Sequence, residues 1–331
     1  MPDSAPTFFA QIAANRRASW GLMLIVTALL VALAGTAGYA LGFEWYGIPF
    51  AFVLAAILGA GSYFGGDRLV LAASDAREID RADPPDTLKQ LMNVVEEMRL
   101  ASGQPMPRIY VIPDTAPNAF ATGRDPKHAS LAVTSGLLEK LDREELQGVI
   151  GHEMSHIRNF DIRFMLLVGV MVGTIALLAD WFLRISFWGG VSGRRRGSGE
   201  GGGGAVAIIA VVALLLSLLS PLIGRLVMLA ASRKREGLAD VSAVELTRNP
   251  LGLAGALRKI ADDPEVLEVA NKATQHMYIV NPVKAFEKRS SSMWDTHPPL
   301  AERIAILESL AGASGMVGEV HAAGGAGPSA S

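Results

Sequence analysis

The stretch VIGHEMSHIRNF, Val149–Phe160, decides how the rest of the chain is read. It holds the pattern H-E-x-x-H, with His152, Glu153 and His156. On a helix, residues four apart project from one face a turn apart, so two imidazoles at this spacing can reach one metal ion. A glutamate beside the first histidine is not aimed at the metal in the same way. It is placed to take a proton from a metal-activated water and pass it to a leaving amine. So short a pattern arises by accident in roughly one chain in a hundred or fewer of this length, so it needs a helix and a third ligand around it. The helix is legible: Asp142 to Asp161 has an N-cap residue at Asp142 and acids at Glu144 and Glu145 in the first turn. Leu146, Val149, Ile150 and His156 then share roughly one face.

Working outward, the motif lies just before an apolar run. The chain of 331 residues has no cysteine, which excludes disulfides, iron–sulfur clusters and a cysteine nucleophile, and suits a protein facing the reducing cytosol. Half of the residues are hydrophobic and the net charge is −2, so nothing points to nucleic acid. The apolar residues are gathered in long runs. Ala18–Phe43 and Trp45–Gly66 carry no charge, and each exceeds the roughly 18–20 apolar residues that cross a bilayer as a helix. Gly201–Gly224 is a third such run. Phe164–Ala179 is shorter and ends at Asp180 and Arg184, spaced to pair on one helix face. Trp181, Phe187 and Trp188 follow it as an interfacial aromatic belt does. The first run is much longer than the roughly 7–15 residues of a signal peptide and a second follows at once, so a retained anchor is expected.

The expected organisation is therefore an α-helical multi-pass membrane protein with four spans and an α+β domain. Residues 1–17 form an N-terminal segment, and 18–66 a hairpin with spans at about 18–43 and 46–66. A polar segment follows at 67–163, a third span at 164–188, a glycine-rich loop at 189–204, a fourth span at 205–231 and a second polar segment at 232–311. The tail 312–331 is expected to be disordered. Basic residues near the spans, among them Arg16, Arg17, Arg68, Arg158, Arg163 and Arg225, put both polar segments on the cytoplasmic side; Arg194–Arg196 in the outer loop vote against. Within the polar segments, Pro84–Ser102 and Pro299–Leu310 read as amphipathic helices and Arg225–Thr247 has helical composition. Arg108–Ile112 and Ser130–Thr134 read as strands, with PNAFATG between them as strand or loop.

Candidates for the third ligand include His128, His276, His297 and several acids; the strongest is Glu236 in SRKREGLAD. His156 precedes the third span by about 12 Å of helix and Glu236 follows the fourth by about 16 Å, so a hairpin of the two spans returns both to one side at similar height. The alternative for Glu236 is a solvated partner of Lys234 or Arg235. Three protein ligands leave an open position for water. Asp240, one turn beyond Glu236, is spaced to accept a hydrogen bond from a ligand histidine.

NAFATG, LAVTSGLLEKL, HEMSHIRNFD, SRKREGLAD and THPPLAERI, in this order and with four spans, closely resemble the HtpX-type membrane zinc metallopeptidases over roughly Arg16–Leu310. The resemblance implies a gluzincin-like fold and one Zn2+ per chain on His152, His156 and Glu236, with Glu153 catalytic. It also implies a multi-pass inner (plasma) membrane protein with its active site on the cytoplasmic side. The implied substrates are misfolded or damaged membrane proteins, cleaved for quality control under stress. The height of the ligands above the spans favours cytosolic or juxtamembrane cleavage. Polypeptides and the lipid bilayer are the implied partners, and homo-oligomerisation is compatible with the sequence.

Other motif residues carry two readings each. The resemblance implies that Asn118, with Ala119, lies by the cleft and helps hold a peptide added as a strand; the alternative is that Asn118 is a turn residue after Pro117. His297 stabilises the oxyanion or positions substrate, or is a structural histidine before Pro298. Arg303 bridges acids near the site, or lies exposed on its helix; Asp161 orients a ligand, or caps the helix end. His128, His276 and His321 read as non-ligands. Two rivals remain. A prenyl-protein-type endopeptidase encloses a larger chamber than four spans easily make. A non-proteolytic metal-binding membrane protein wants ionisable groups at mid-span, and these spans offer essentially none.

Overall fold

The structure is a computed structural model that describes residues 47–168, 233–265, 267, 278–279 and 299–324, with isolated positions between 13 and 28. Most of the first and third spans, the fourth span, the glycine-rich loop and the Asp180–Arg184 pair lie outside the described residues, as do His276 and His297. Helix α1 (Gly47–Ala73) covers the expected second span. Then come β1 (Arg77–Glu78), α2 (Lys89–Ser102), β2 (Arg108–Ile112), β3 (Ala119–Gly123), β4 (Ala129–Thr134), α3 (Ser135–Lys140) and α4 (Arg143–Arg158). After the gap follow α5 (Arg233–Thr247), α6 (Pro250–Asp262) and α7 (Leu300–Gly324). Among the described residues no helix is long and apolar enough to cross a membrane.

The sheet has the order β1-β2-β4-β3. Strand β2 runs parallel to β4, pairing Arg108 with Ser130 through Ile112 with Thr134. Strand β3 is antiparallel to β4, Ala119 facing Val133 and Gly123 facing Ala129, and forms one edge. PNAFATG, read as strand or loop, is thus a strand from Ala119. Successive side chains of a strand point to opposite faces. Ala119, Ala121, Leu131 and Val133 pack in one core with Leu146, Val149, Ile150, Met154 and Ile157 of α4. Phe120, Ala132, Tyr110 and Ile112 pack in a second core with Val70 and Leu71 of α1 and with Met165 and Leu166. Both faces of the sheet are covered, which is why these strands read as nearly continuous apolar runs.

Helix α4 begins as its sequence says. The Asp142 carboxylate accepts from the Glu145 N–H at 3.0 Å, and the Glu145 carboxylate accepts from the Asp142 N–H at 2.9 Å. This reciprocal box satisfies two amides that the first turn leaves without partners. Lys259 of α6 then reaches Glu145 at 2.6 Å. Backbone meets backbone where α6 crosses α4: a Cβ on Gly148 would lie 2.6 Å from the Leu253 nitrogen. Asn249 caps α6 by accepting from the Gly252 N–H, and Pro250 sits in its first turn, a start signal that the sequence carried but that the expectations above did not use.

Two expectations need correction. The helix read from Asp142 to Asp161 stops at Arg158; Phe160 takes φ 61°, and helical structure resumes over 161–168. A left-handed bulky residue is a genuine turn, so the ligand helix does not run on unbroken toward the third span, and the 12 Å rise above does not hold as a single helix. Helix α7 continues past Leu310 to Gly324, into the tail expected to be disordered. No proline occurs in that stretch before Pro328, and alanines favour the helix.

Candidate metal centre

Helices α4 and α5 face each other across a pocket of buried polar side chains. His152 and His156 project one turn apart from α4, and Glu236 comes from the first turn of α5. All three are buried. The two histidine Nε2 atoms lie 3.1 Å apart, and the Glu236 carboxylate oxygens lie 3.6 Å from one and 3.7 Å from the other. Four ligands around a zinc ion at bonds near 2.0–2.1 Å stand about 3.3 Å from one another. The three side chains therefore already hold the spacing of a tetrahedral site with one corner open.

The far sides of the rings decide which atoms face inward. His152 Nδ1 lies 2.9 Å from Asp240 Oδ1, and His156 Nδ1 lies 3.1 Å from Asp161 Oδ2. A carboxylate fixes the proton on Nδ1 and leaves the Nε2 lone pair turned toward the metal. Two such nitrogens at 3.1 Å beside a carboxylate converge on one point, which a shared proton or a metal cation can occupy. The donor set fits a divalent metal of the zinc type. Of the two readings of Asp161, this contact is the one that orienting a ligand requires, and the turn at Phe160 lies between the helix end and that carboxylate.

Arg303 closes the cluster from α7. It is 2 % exposed and grips Asp240 in a fork, with contacts of 2.8 and 2.7 Å. Its Nη1 also lies 3.4 Å from Glu236 Oε2 and donates to the Ile279 carbonyl at 3.2 Å. The bridging reading of Arg303 is the one the geometry supports; exposure on its helix is excluded. Burial pulls against its charge, but Asp240, with Glu236 and Glu153, raises its pKa. Burial likewise pushes Asp240 up, and the charges of Arg303 and His152 bring it net down, so it stays ionised.

Glu153 is buried beside the ligands. Burial raises its pKa to about 7; the Glu236 charge adds to this, while His156, the Ala121 N–H and Arg303 oppose it. A general base poised near neutrality is what proton shuttling needs. Without metal the two histidines part ways. Burial lowers His152, with His156 and Arg303 adding to the effect. Burial also lowers His156, but Asp161 and the Glu236 charge outweigh it and lift His156 to about 9.

The structure thus brings together His152, Glu153, His156, Glu236, Asp240, Asp161 and Arg303. Among the described residues, His152, His156 and Glu236 alone form a group able to hold a metal. The solvated alternative for Glu236 is excluded by its burial. His128 is exposed and pairs with Asp125 at 2.8 Å, away from the ligands. Asn118 and Ala119 open the edge strand, and the Asn118 Oδ1 accepts from the Ala119 N–H at 3.0 Å. Ala121 was missed from the sequence: its N–H reaches Glu153, and its one signal was a central place in NAFATG.

Residues 85–311 match the peptidase family M48. The chain is 43% identical over 308 residues to the protease HtpX homolog of Lactiplantibacillus plantarum, covering 91% of this chain and 99% of that one. It is 40% identical to the protease HtpX homologs of Streptococcus uberis, over 91% of this chain and 99% of that one, and of Dictyoglomus thermophilum, over 92% and 95%. The crystal structure of S. mikatae Ste24p aligns with 90% of this chain and 66% of that chain at a TM-score of 0.43 and 19% identity. A His-His-Glu group spaced for one metal and a buried glutamate beside it agree with the family match and the HtpX relatives: the chain belongs to peptidase family M48, as an HtpX-type metalloprotease.

Proposed function

We propose that this metalloprotease is a four-span membrane enzyme that uses one zinc ion to cleave misfolded or damaged membrane proteins at cytosolic or juxtamembrane segments. The observation that carries the catalytic part is the arrangement of His152, His156 and Glu236, with Glu153 buried beside them. A metal held there supplies Lewis-acid chemistry, polarising the scissile carbonyl and acidifying a water. Glu153 accepts the proton of that water and returns it to the leaving amine. Asp161 and Asp240 hold the two rings so that Nε2 faces inward, and Arg303 keeps Asp240 ionised. His297, in the THPPLAERI motif, is proposed to donate a hydrogen bond to the developing oxyanion. Asn118 and Ala119 head the edge strand along which a peptide adds as a further strand.

The membrane part is supported by the uncharged runs 18–43, 46–66 and 201–224 and by α1, where Phe52, Val53, Ile57 and Phe64 are all more than half exposed. A contiguous exposed apolar face of this kind marks contact with lipid or protein. At its foot Arg124 lies over the Phe64 ring at 5.4 Å, as a charge at a lipid–water boundary does.

The test pairs metal content with cleavage of an unfolded model protein. Glu153→Gln should keep the metal and lose at least about 100-fold in cleavage rate, the usual share of a general base. Glu236→Ala should lose metal and cleavage together. Cleavage by Glu153→Gln at the wild-type rate would sink the mechanism, and products mapped mainly inside substrate spans would sink the proposed cleavage position.

A further inference from the structure

We infer that Tyr278–Ile279 closes the peptide groove at the Ala119 end, so that a substrate strand pairs with β3 from Ala121 onward. The inference rests on the metalloprotease function of the same site and on peptide addition to its edge strand.

Strand β3 is the sheet edge nearest the catalytic glutamate. The Thr134 N–H donates to the Asn118 carbonyl, so the even residues of β3 turn their backbone groups toward β4. In an antiparallel pair the alternate residues then turn theirs outward. The outward set is Ala119, Ala121 and Gly123. On such an edge each outward residue offers one N–H and one C=O to an added strand. At Ala119 both are taken. Its N–H goes to the Asn118 side chain at 3.0 Å, and its carbonyl accepts from the Ile279 N–H at 2.9 Å.

This occupant is built in rather than laid on. Ile279 and Tyr278 are 2% and 0% exposed. Ile279 packs in the core on the α4 side of the sheet, and Tyr278 in the core on the α1 side. Two successive side chains enter opposite cores, so the dipeptide is anchored on both faces of the sheet and meets the β3 edge through the one Ile279–Ala119 hydrogen bond. Tyr278 stacks edge-on against Phe120 at 5.0 Å, and its hydroxyl lies 3.2 Å from Ser74 Oγ. The Ile279 carbonyl is held by Arg303, which also holds Asp240 and lies beside Glu236. One line of contacts therefore runs from a metal ligand through Arg303 and Ile279 to the edge strand. It sets the groove's end at a fixed place relative to the metal.

At Ala121 the situation differs. Its N–H is held by the Glu153 side chain, the proposed proton acceptor, and not by a buried segment of backbone. That amide is available to substrate when Glu153 turns to water, whereas the Ala119 carbonyl stays with Ile279. Ile279 is accordingly a positioning residue: it governs which peptide bond of a bound strand lies over the metal.

The test uses the full chain. Ile279→Pro removes the N–H and frees the Ala119 carbonyl; Ile279→Val keeps both the N–H and a branched core side chain. Cleavage positions on one unfolded protein, mapped by mass spectrometry, should shift in Ile279→Pro and stay unchanged in Ile279→Val, with metal content equal in both. Unchanged positions in a metal-loaded Ile279→Pro overturn the inference. Should that variant fail to fold, hydrogen exchange of the Tyr278–Ile279 amides decides in Glu153→Gln with and without a bound peptide. Protection retained on binding supports the inference, and protection lost shows a displaceable occupant and overturns it. This arm needs no chemistry, so it separates from a failure of the enzyme reading, which a wild type that cleaves nothing would show.

Discussion

Helix α4 borders two interiors that are equally dry and chemically opposite. Toward the sheet it presents Leu146, Val149, Ile150, Met154 and Ile157, each at most 2% exposed, in an apolar core. Toward α5 and α7 it presents His152 and His156 to Glu236, Asp240 and Arg303, each at most 4% exposed. The first interior is stable because water is excluded from it. The second is costly for the same reason, and it persists because every charge has a partner or a metal ligand role. The apolar side therefore supplies the stability that the polar side consumes. Changes on the two sides should fail in different ways, one in folding and one in metal.

The largest structural effect should come from Arg303→Met. It leaves Asp240 and Glu236 buried without their cation, which costs on the order of 3–5 kcal/mol when one partner of a buried pair is removed. A bound divalent metal restores part of that charge. Thermal unfolding should show a larger loss in metal-free than in metal-loaded protein, and equal losses would break the comparison. Asp161→Asn is smaller. It keeps the shape beside His156 but weakens the hold on its Nδ1, and metal affinity should fall roughly 10–100-fold while the unfolding temperature of metal-free protein moves little. A competition titration against a chelator reads this directly.

Changes on the apolar side should leave the metal alone. Gly148→Ala drives a Cβ into the Leu253 backbone and should cost about 1–3 kcal/mol as overpacking does, with metal affinity of the folded fraction unchanged. Asn249→Ala removes the cap of α6 and should cost about 1 kcal/mol, again seen in unfolding and not in metal content. A loss of metal affinity from either would show that the two interiors are coupled through α4.

Much of the metal centre was legible because its parts sit at short, fixed intervals. His152, Glu153 and His156 share one helix whose capping box announces itself at Asp142 and Glu145. Glu236 and Asp240 are one turn apart on another helix. Unbroken helical rise was the reason for joining those helices; the chain turns at Phe160, and yet His152 and Glu236 lie 3.6 Å apart. Nothing in IRNFDIR announces a left-handed phenylalanine. For that reason the role of Asp161 stayed open until the fold was seen.

By itself the sequence determined the chemistry available to this protein: two imidazoles and a carboxylate for a metal, a glutamate beside them and apolar runs of membrane length. Local spacing suffices for that, because a helix converts four residues into one turn. Only the tertiary structure decided which distant residues meet around the histidine pair and at the edge strand. Arg303 reaches Asp240 across 63 residues and Ile279 reaches Ala119 across 160. Contacts at such separations are chosen by packing, which no local pattern encodes.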